Sequence, residues 1–257
     1  MERFISLRAK IGKNFQAGYF VVIEDDVVIG DNVKLGHNVV IKKGSRLGNN
    51  TIVGDGTIIG KHPMKAKRSA TTSSKVFPGC IIGDYVTIGA NAVIYVGCTI
   101  GDGVLVADLA TVREDVTIGR YTIVGRGAAI ENQCSIGDYC KIETNVYITA
   151  FSQVGDFAFI SPGVLTSNDN FVGRTKERFK HFKGVTVERG ARLGVGSVIL
   201  PGKNIKSDAL VAGGALVTKD IPARKIYAGV PAEEFRDVPE EQLLENQDWE
   251  QVKKGKK

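Results

Sequence analysis

The chain has 257 residues, of which 43% are hydrophobic and 24% charged, and it contains 31 glycines but only 7 prolines. This composition is typical of a folded globular protein, and it excludes a disordered chain, collagen and, because no apolar run approaches about 18 residues, a membrane-spanning helix. The formal net charge of +6 favours anionic partners such as nucleotides or phosphorylated cofactors.

The N-terminus and the cysteines indicate the compartment. The first residues, MERFISLRAKIGK, lack the apolar core of a secretory signal. The four cysteines, Cys80, Cys98, Cys134 and Cys140, form no C-x-x-C pair and no evident disulfide framework. We therefore expect reduced thiols in a cytoplasmic protein.

An internal repeat of six residues dominates the sequence. Aliphatic residues, with one alanine, recur at every sixth position in three blocks, which run from Ile11 to Ile59, from Ile82 to Ile160 and from Val187 to Val217. Together the blocks hold 29 hexapeptides. The residue after the aliphatic one is often glycine, followed by Asp, Asn or another small residue, as in "IGDN" and "IGDY". Each hexapeptide is thus predicted to be a short strand plus a turn, because a period of six matches no helix.

A strand and turn repeated every six residues predict a triangular prism with three units per coil. In this respect the sequence resembles the left-handed parallel β-helix of the hexapeptide-repeat acyltransferases, and the resemblance covers about residues 11–232. It implies an all-β solenoid that assembles as a homotrimer, with acetyl-CoA bound in a groove between neighbouring subunits. Cys98, Cys134 and Cys140 stand two residues before an aliphatic position, so we expect them to point inward as small core thiols.

The repeat breaks in three places, and insertions in a solenoid often mark its binding face. The first insertion is residues 61–81, the second is residues 161–186, and the third break follows Val217. Near the C-terminus, Pro239, Glu240 and Glu241 followed by distant lysines are typical of a helix. We therefore predict one β-helix domain over residues 1–230, and a helical cap with a basic tail over 231–257 that covers the open end of the prism.

The segment "VAGGALVTKDIPARKIYAGVPA", residues 211–232, resembles the closing turn of the acetyl-CoA-dependent members. In that family the last coils hydrogen-bond the pantetheine arm and basic side chains meet the phosphates. Carried onto this sequence, the contacts would come from Gly196, Ala212, Gly214, Lys219 and Arg224. An alternative for Lys219 and Arg224 is that they are plain surface charges.

Two further segments resemble the N-acetyltransferases that act on nucleotide-linked 3-amino sugars. "TSNDN", Thr166 to Asn170, is similar to their "FTND" loop, and "IENQ", Ile130 to Gln133, is similar to their "IEND" segment. The resemblance implies that Asn168 and Asp169 position the amine and that Glu131 and Asn132 bind the substrate. Asn168 and Asp169 would otherwise form an Asx-turn that folds the loop.

Eighteen residues make one coil, so positions 18 apart stack. On this arithmetic Glu143 lies directly beneath the root of the second insertion, after Ile160, where it would accept the proton of an incoming ammonium group or remain a solvated carboxylate. Arg113, Glu131 and Thr149 form another column, in which an ion pair between Arg113 and Glu131 is expected.

The second insertion is rich in basic residues, among them Arg174, Arg178 and His181. Such charges suit a pyrophosphate. They would also suit RNA, but no interleaved aromatic platform is evident, so we expect no nucleic-acid partner.

The three histidines, His37, His62 and His181, lack the spacing of a zinc site built between coils, and we expect no metal. Only His37 lies within the repeat, which favours an amine acceptor over a hydroxyl that needs a histidine base. Two alternatives stay open, an O-acetyltransferase with His181 as base and a non-catalytic scaffold. The sequence identifies neither the sugar, the nucleotide, the acyl chain length nor the role of the first nine hexapeptides and the first insertion.

Overall fold

The structure, a computed structural model, describes residues 3–72 and 75–249. Its coil contains 31 short strands in chain order: β1 (Phe4–Ile5), β2 (Lys10–Ile11), β3 (Gln16–Ala17), β4 (Val22–Ile23), β5 (Val28–Ile29), β6 (Lys34–Leu35), β7 (Val40–Ile41), β8 (Arg46–Leu47), β9 (Ile52–Val53), β10 (Ile58–Lys61), β11 (Ile81–Ile82), β12 (Thr87–Ile88), β13 (Val93–Tyr95), β14 (Thr99–Ile100), β15 (Leu105–Val106), β16 (Thr111–Val112), β17 (Thr117–Ile118), β18 (Ile123–Val124), β19 (Ala129–Ile130), β20 (Ser135–Ile136), β21 (Lys141–Ile142), β22 (Tyr147–Ile148), β23 (Gln153–Val154), β24 (Phe159–Ile160), β25 (Leu165–Thr166), β26 (Thr186–Val187), β27 (Arg192–Leu193), β28 (Val198–Ile199), β29 (Asn204–Ile205), β30 (Leu210–Val211) and β31 (Leu216–Val217).

The strands form three parallel sheets, and each sheet takes every third strand. The first sheet runs from β1 to β31, the second from β2 to β29, and the third from β3 to β30. We call the turn from the first to the second sheet the first corner, the next turn the second corner, and the turn back to the first sheet the third corner. Residues 18 apart face each other across neighbouring strands, as in the pairing of Val112 with Ile130 and of Ile130 with Ile148.

The inside of the coil is one continuous apolar column. The second residue of most strands points inward and is fully buried, for example Ile94, Ile130 and Ile160. A strand that lies between two others in a sheet has no unpaired polar edge. Each buried isoleucine stabilises the fold by about 1.5–3 kcal/mol. All four cysteines are free and buried in this column, which confirms the expected inward thiols.

The corners are held by a repeated turn. One residue of most turns has a left-handed backbone, as Tyr139 (φ 57°) and Asn145 (φ 57°) do. At the second corner, a carboxylate oxygen of Asp138 accepts the backbone N–H of Arg120, one coil earlier, at 2.7 Å. The N–H of Asp138 in turn donates to Asp156 at 2.8 Å. These bonds link successive coils outside the strand ladders.

The predicted parallel β-solenoid with three units per coil is confirmed, and the coil is consistent with the left-handed β-helix that the resemblance implies. The described residues add two strands to the 29 predicted hexapeptides, namely β1 and β25. Strand β1 ends in Ile5, which lies six residues before Ile11 and extends the first block, whereas β25 ends in Thr166, which replaces an aliphatic residue.

The C-terminal segment differs from the predicted helical cap. Strand β32 (Lys225–Ala228) extends the third sheet and pairs in antiparallel fashion with β33 (Glu233–Asp237). Two short 3-10 helices follow, Glu240–Gln242 and Leu244–Asn246. The helix expected after Pro239 is therefore wrong for residues 240–248, and the basic tail over 250–257 lies outside the described residues.

Local hydrogen bonds explain this difference. The side chain of Asn246 donates to the carbonyl oxygen of Glu240 at 2.6 Å, and that of Gln247 donates to Glu241 at 2.7 Å. Side chains that bind nearby backbone groups compete with the helical ladder. The segment packs along the second corner instead, where the backbone N–H of Leu244 donates to Asp208 at 2.9 Å.

Aromatic side chains stack along the second corner. The ring centroids of Tyr121 and Tyr139 are 5.2 Å apart, those of Tyr139 and Phe157 are 5.1 Å apart, and Trp249 adds to the stack at 4.8 Å from Phe157. This ladder ties the C-terminal segment to the coil.

Candidate functional site

Both insertions leave the coil at the first corner. The first insertion follows Lys61 at the end of β10, and the second follows Thr166 at the end of β25. Both return to the second sheet, at Ile81 and Thr186. Between them lie the turns of four coils, so two segments about 100 residues apart in sequence rise from one edge of the prism.

The second insertion therefore begins later than the predicted residue 161. The chain completes one more strand, in which Thr166 takes the aliphatic position with 5% of its surface exposed. Its hydroxyl accepts the backbone N–H of Thr149 at 2.7 Å and donates to the carbonyl oxygen of Tyr147 at 3.0 Å. These two bonds satisfy the buried hydroxyl and let threonine replace an aliphatic residue.

The expected position of Glu143 is wrong for the same reason. One extra hexapeptide turns the chain by a third of a coil, so the insertion rises from the first corner while Glu143 lies at the third corner, after β21. Thr149, in the column of Arg113 and Glu131, is the residue beneath the root of the insertion. The role of Glu143 as a proton acceptor stays an untested prediction.

A buried ion cluster forms the floor between the insertions. The expected contact between Arg113 and Glu131 is confirmed at 3.2 Å between Nη1 and Oε2. Arg113 also binds both carboxylate oxygens of Glu114, at 2.8 Å from Nε and 3.1 Å from Nη2, and its guanidinium lies 5.0 Å from the Tyr95 ring centroid. Glu114 is only 2% exposed. It accepts two of the three hydrogen bonds that Arg113 donates to these carboxylates.

Glu131 keeps a carboxyl that is reachable and unusually basic. Its side chain is 22% exposed. Burial raises the pKa of Glu131, and the negative charge of Glu114 raises it further, against the opposing effect of Arg113. Burial and the charge of Glu131 also raise the pKa of Tyr147 on the neighbouring strand. A carboxylate with a raised pKa is a stronger proton acceptor than an ordinary one.

Asn132 lies next to Glu131 and is 1% exposed. Its Nδ2 donates to the carbonyl oxygen of Thr71, in the first insertion, at 3.3 Å. Its Oδ1 is buried and has no hydrogen-bond donor among the residues that the structure describes. A buried oxygen without a partner is costly, and such an atom at a site commonly awaits a ligand. The floor thus offers acceptor oxygens from Glu131 and Asn132.

Side-chain contacts fix the first insertion to the same corner. Lys75 forms an ion pair with Asp115, and its Nζ lies 4.9 Å from the ring centroid of Phe77. Phe77 is buried, and a Cβ built on Gly97 would lie 3.4 Å from its ring. The loop therefore packs on the corner turns and does not extend away from them.

The second insertion is folded by the aspartate of the "TSNDN" segment. Asp169 accepts backbone N–H groups from Phe171 at 2.9 Å and from Gly173 at 3.0 Å. These bonds lower the pKa of Asp169, although its partial burial opposes them. Both carboxylate oxygens of Asp169 accept backbone N–H groups of its own loop. This arrangement agrees with the alternative in which the segment forms an Asx-turn. The backbone carbonyl of Asn168 accepts the N–H of Lys183 at 3.2 Å and closes the base of the loop.

The basic residues of the second insertion have separate partners. Arg174 is exposed, and Arg178 lies 3.5 Å from Asp169 and between two phenylalanine rings. His181 lies 3.2 Å from Glu177 and stacks with Phe171 at 5.7 Å between centroids. The structure brings Arg178 close to Arg68 of the first insertion, whereas Arg174 and His181 are exposed.

The residues expected to bind the cofactor fall into two sets. Gly196, Ala212 and Gly214 lie together at the third corner of the last coils, where the N–H of Gly214 donates to Val195 at 2.8 Å. Lys219 and Arg224 lie beyond β31 and pair with Glu233 at 3.5 Å and Glu245 at 3.1 Å. The three small residues form a surface, and the two cations lie at other corners.

Gly196 and Gly214 leave this surface bare. Their φ angles are +63° and +68°, and a Cβ built on either residue would meet no atom within 4 Å. Gly163, one coil below, shows the same open space. At Gly127, farther down the corner, a Cβ would lie 2.6 Å from the Asn145 side chain. The last coils therefore expose a strip of backbone that an extended ligand can approach closely.

Sequence analysis missed three contributors to the floor. Thr71 lies in an insertion without periodicity, and Tyr95 and Glu114 showed no motif. The column arithmetic that placed Arg113 beneath Glu131 would have found Glu114 as the sequence neighbour of Arg113. Across the described residues, no three His, Cys, Asp or Glu side chains are arranged to hold a metal. No helix within residues 3–72 and 75–249 is long and apolar enough to cross a bilayer.

Two family models match the repeat. "Bacterial transferase hexapeptide (six repeats)" matches residues 8–43 and 97–132, and "Hexapeptide repeat of succinyl-transferase" matches residues 79–107. Among curated proteins, the 2,3,4,5-tetrahydropyridine-2,6-dicarboxylate N-acetyltransferases of Staphylococcus aureus strains JH9 and JH1 are each 40% identical over 58 residues. That alignment spans 23% of this chain and 24% of each relative.

A solved structure shares the fold over most of the chain. The UDP-N-acetylglucosamine acyltransferase of Arabidopsis superposes with a TM-score of 0.51 and 19% identity, covering 92% of this chain and 73% of that one. Together with the matched repeats and the three parallel sheets, this similarity shows that the chain has the fold of a hexapeptide-repeat solenoid, and part of its sequence is similar to the bacterial transferase hexapeptide family.

Proposed function

We propose that the protein is an acyltransferase that moves an acetyl group from acetyl-CoA to the amine of a nucleotide-linked amino sugar. The observation that carries this proposal is the pair of acceptor groups at the floor, the carboxyl of Glu131 and the unpartnered Oδ1 of Asn132. A primary amine brings donors to both, and a raised carboxyl pKa suits proton removal from it. The Staphylococcus aureus relatives, which are named as N-acetyltransferases, support amine acylation.

The donor side of the proposal rests on the bare strip at Gly163, Gly196 and Gly214. A pantetheine arm is long, narrow and rich in amide groups, so it suits exposed backbone without side chains. Lys219 and Arg224 would meet the CoA phosphates, since their ion pairs with Glu233 and Glu245 are exposed and weak. The acetyl group bound there supplies the thioester carbonyl that the amine attacks.

We propose that the protein assembles as a homotrimer, as the family resemblance implies, and the positions of the two half-sites support this. The acceptor floor lies at the first corner, and the bare strip lies at the third corner of later coils. A prism keeps its corners apart, so the two surfaces meet only when the first corner of one subunit faces the third corner of another. A closed cyclic assembly provides this contact for every copy.

The proposed chemistry is direct transfer. The amine nitrogen bonds to the carbonyl carbon, the carbon–sulfur bond breaks, and CoA leaves as the thiolate. Glu131 accepts the proton from the amine, while Asn132 orients it. Asn168, at the base of the loop, would position the sugar, and Asp169 would act indirectly by folding that loop. Most of the rate enhancement would come from holding amine and thioester in contact.

A second candidate function is O-acetylation of a sugar hydroxyl. It is favoured by the contact between His181 and Glu177, because a carboxylate that orients an imidazole is a common general-base arrangement. In that reaction His181 would take the hydroxyl proton, and His181→Ala would abolish the activity.

Calorimetric titration of the full chain with acetyl-CoA and then CoA tests the proposal first. Micromolar binding of both supports a transferase, and thiol release with amino-sugar and hydroxy-sugar nucleotides then separates the two acceptors. Absence of binding to either would contradict acetyl transfer and favour the non-catalytic scaffold. Asn132→Leu should abolish thiol release with an amine acceptor and leave acetyl-CoA binding unchanged.

A further inference from the structure

The two insertions face each other across a cleft of about 370 Å³ above the first corner. The first insertion contributes one residue to its lining and the second contributes five, which are Arg68 and then Gly173, Thr175, Lys176, Arg178 and Phe179. Three of these six residues are cations and none is a carboxylate. The cleft therefore has the charge of an anion-binding site.

Two of its three cations have no ion-pair partner among the described residues. Neither Arg68 nor Lys176 forms an ion pair with any carboxylate in the part of the chain that the structure describes. The third cation, Arg178, places its Nε 3.5 Å from Oδ2 of Asp169, but the oxygens of Asp169 already accept backbone N–H groups. This Nε is buried and, although it is ion-paired, it donates no hydrogen bond to any described residue. A buried guanidinium N–H without a partner is costly unless a ligand accepts it.

Packing orients the guanidinium of Arg178. Its carbon Cζ lies 5.1 Å from the ring centroid of Phe179 and 5.2 Å from that of Phe182. Cation–π contacts of this kind hold the plane of the group in place. The side chain is thus preorganised while its hydrogen bonds remain available.

The backbone of the loop adds donors. Gly173 and Thr175 have left-handed φ angles of 82° and 56°. The N–H groups of Thr175 and Lys176 donate to no acceptor among the described residues. Successive free N–H groups around a left-handed residue form a concave nest that suits phosphate oxygens.

We infer that the cleft binds a diphosphate and that the first insertion completes this site by contributing Arg68. The inference rests on the proposed function in assigning the diphosphate to the nucleotide-linked acceptor. The diphosphate of CoA has the same chemistry, and separate titrations distinguish the two sources. Thr71, three residues after Arg68 in the same insertion, is bonded to Asn132 of the floor, so a sugar attached to the diphosphate would extend towards that floor.

The test is calorimetric titration of the full chain with UDP, inorganic pyrophosphate and CoA, in separate experiments. The variant Arg68→Gln removes one charge-assisted contact, and Arg46→Gln, an exposed arginine on β8, is the matched control. We expect Arg68→Gln to weaken UDP and pyrophosphate binding about tenfold, with CoA affinity unchanged. Lys176→Gln should act in the same direction, and Arg46→Gln should match the unmodified chain. Circular dichroism melting verifies that each variant is folded.

Several outcomes would overturn the inference. They are no binding of UDP to the unmodified chain, equal UDP affinity in Arg68→Gln, or equal weakening of CoA in that variant, which would assign the cleft to the CoA phosphates. Binding of UDP without binding of acetyl-CoA would leave the cleft in place and contradict the proposed acetyl transfer instead. The two proposals can therefore fail separately.

Discussion

The side-chain amide of Asn132 donates a hydrogen bond to the carbonyl oxygen of Thr71, which is 61 residues earlier in the chain. This bond joins the floor of the site to the first insertion. It also leaves the Asn132 oxygen buried with no donor. The first insertion is thereby part of the site, although the repeats around it belong to earlier coils.

The raised pKa of Glu131 makes stability depend on pH in a definite direction. The folded state disfavours the charged carboxyl, so the stabilisation from the protonated form is complete below the unfolded pKa and is lost as pH rises through the folded pKa. The side chain of the variant Glu131→Gln stays neutral at every pH. The stability of this variant relative to the unmodified chain should therefore increase as the pH is raised from about 4 to about 8. Thermal unfolding at both pH values measures this difference. A difference that is constant, or that falls with rising pH, would contradict the burial argument.

Removing Arg113 should be strongly destabilising. It would leave Glu114, at 2% exposure, as a buried charge without a partner. Arg113→Met is expected to cost about 3 kcal/mol in the free energy of unfolding, measured in urea. Arg120→Met breaks an exposed pair with Asp138 and should cost less than about 1 kcal/mol. The double variant Arg113→Met, Glu114→Gln should regain much of the lost stability. If Arg113→Met and Arg120→Met cost similar amounts of stability, the buried cluster is refuted.

The cysteines should be unreactive in the folded protein. All four are buried, and burial raises the pKa of Cys134 to about 12 and that of Cys140 to about 11. The thiolate is the reactive form, so an aromatic disulfide reagent at pH 8 should label none of them in minutes. After denaturation all four should react. Rapid labelling of one thiol in native buffer would show that the inner column opens at that coil.

A side chain on the bare strip should block the donor without unfolding the protein. Asparagine tolerates a left-handed backbone, and the space at Gly196 is open. Gly196→Asn should therefore keep its melting temperature within a few degrees and weaken acetyl-CoA binding at least about tenfold. Gly44→Asn is the control, since Gly44 has a similar φ and its Cβ would have no neighbour within 3.9 Å. Equal acetyl-CoA affinity in the two variants would exclude the strip as the donor site.

The period of six predicted the coil, its three faces and the stacking of residues 18 apart because each hexapeptide pairs with, and packs against, the equivalent hexapeptides of the neighbouring coils. It failed at Thr166, whose hydroxyl replaces apolar packing with two hydrogen bonds that a hydrophobicity pattern does not register. That one strand moved the loop root by a corner and misplaced Glu143. The contacts of Thr71 and Arg68 depend on how aperiodic loops fold over the coil, so no spacing rule could have placed them.

The shared origin of the two insertions restricts how the chain between them can vary in length. From Ile94 to Thr166 there are 72 residues, or four full turns of the coil. Adding or deleting a single hexapeptide there would rotate one insertion by a third of a turn and separate the walls of the cleft. Only steps of 18 residues preserve their alignment, and each step would deepen the cleft by one strand spacing of about 4.8 Å. The reach of the site is therefore adjustable in discrete increments, set by the winding of the backbone and not by the loops themselves.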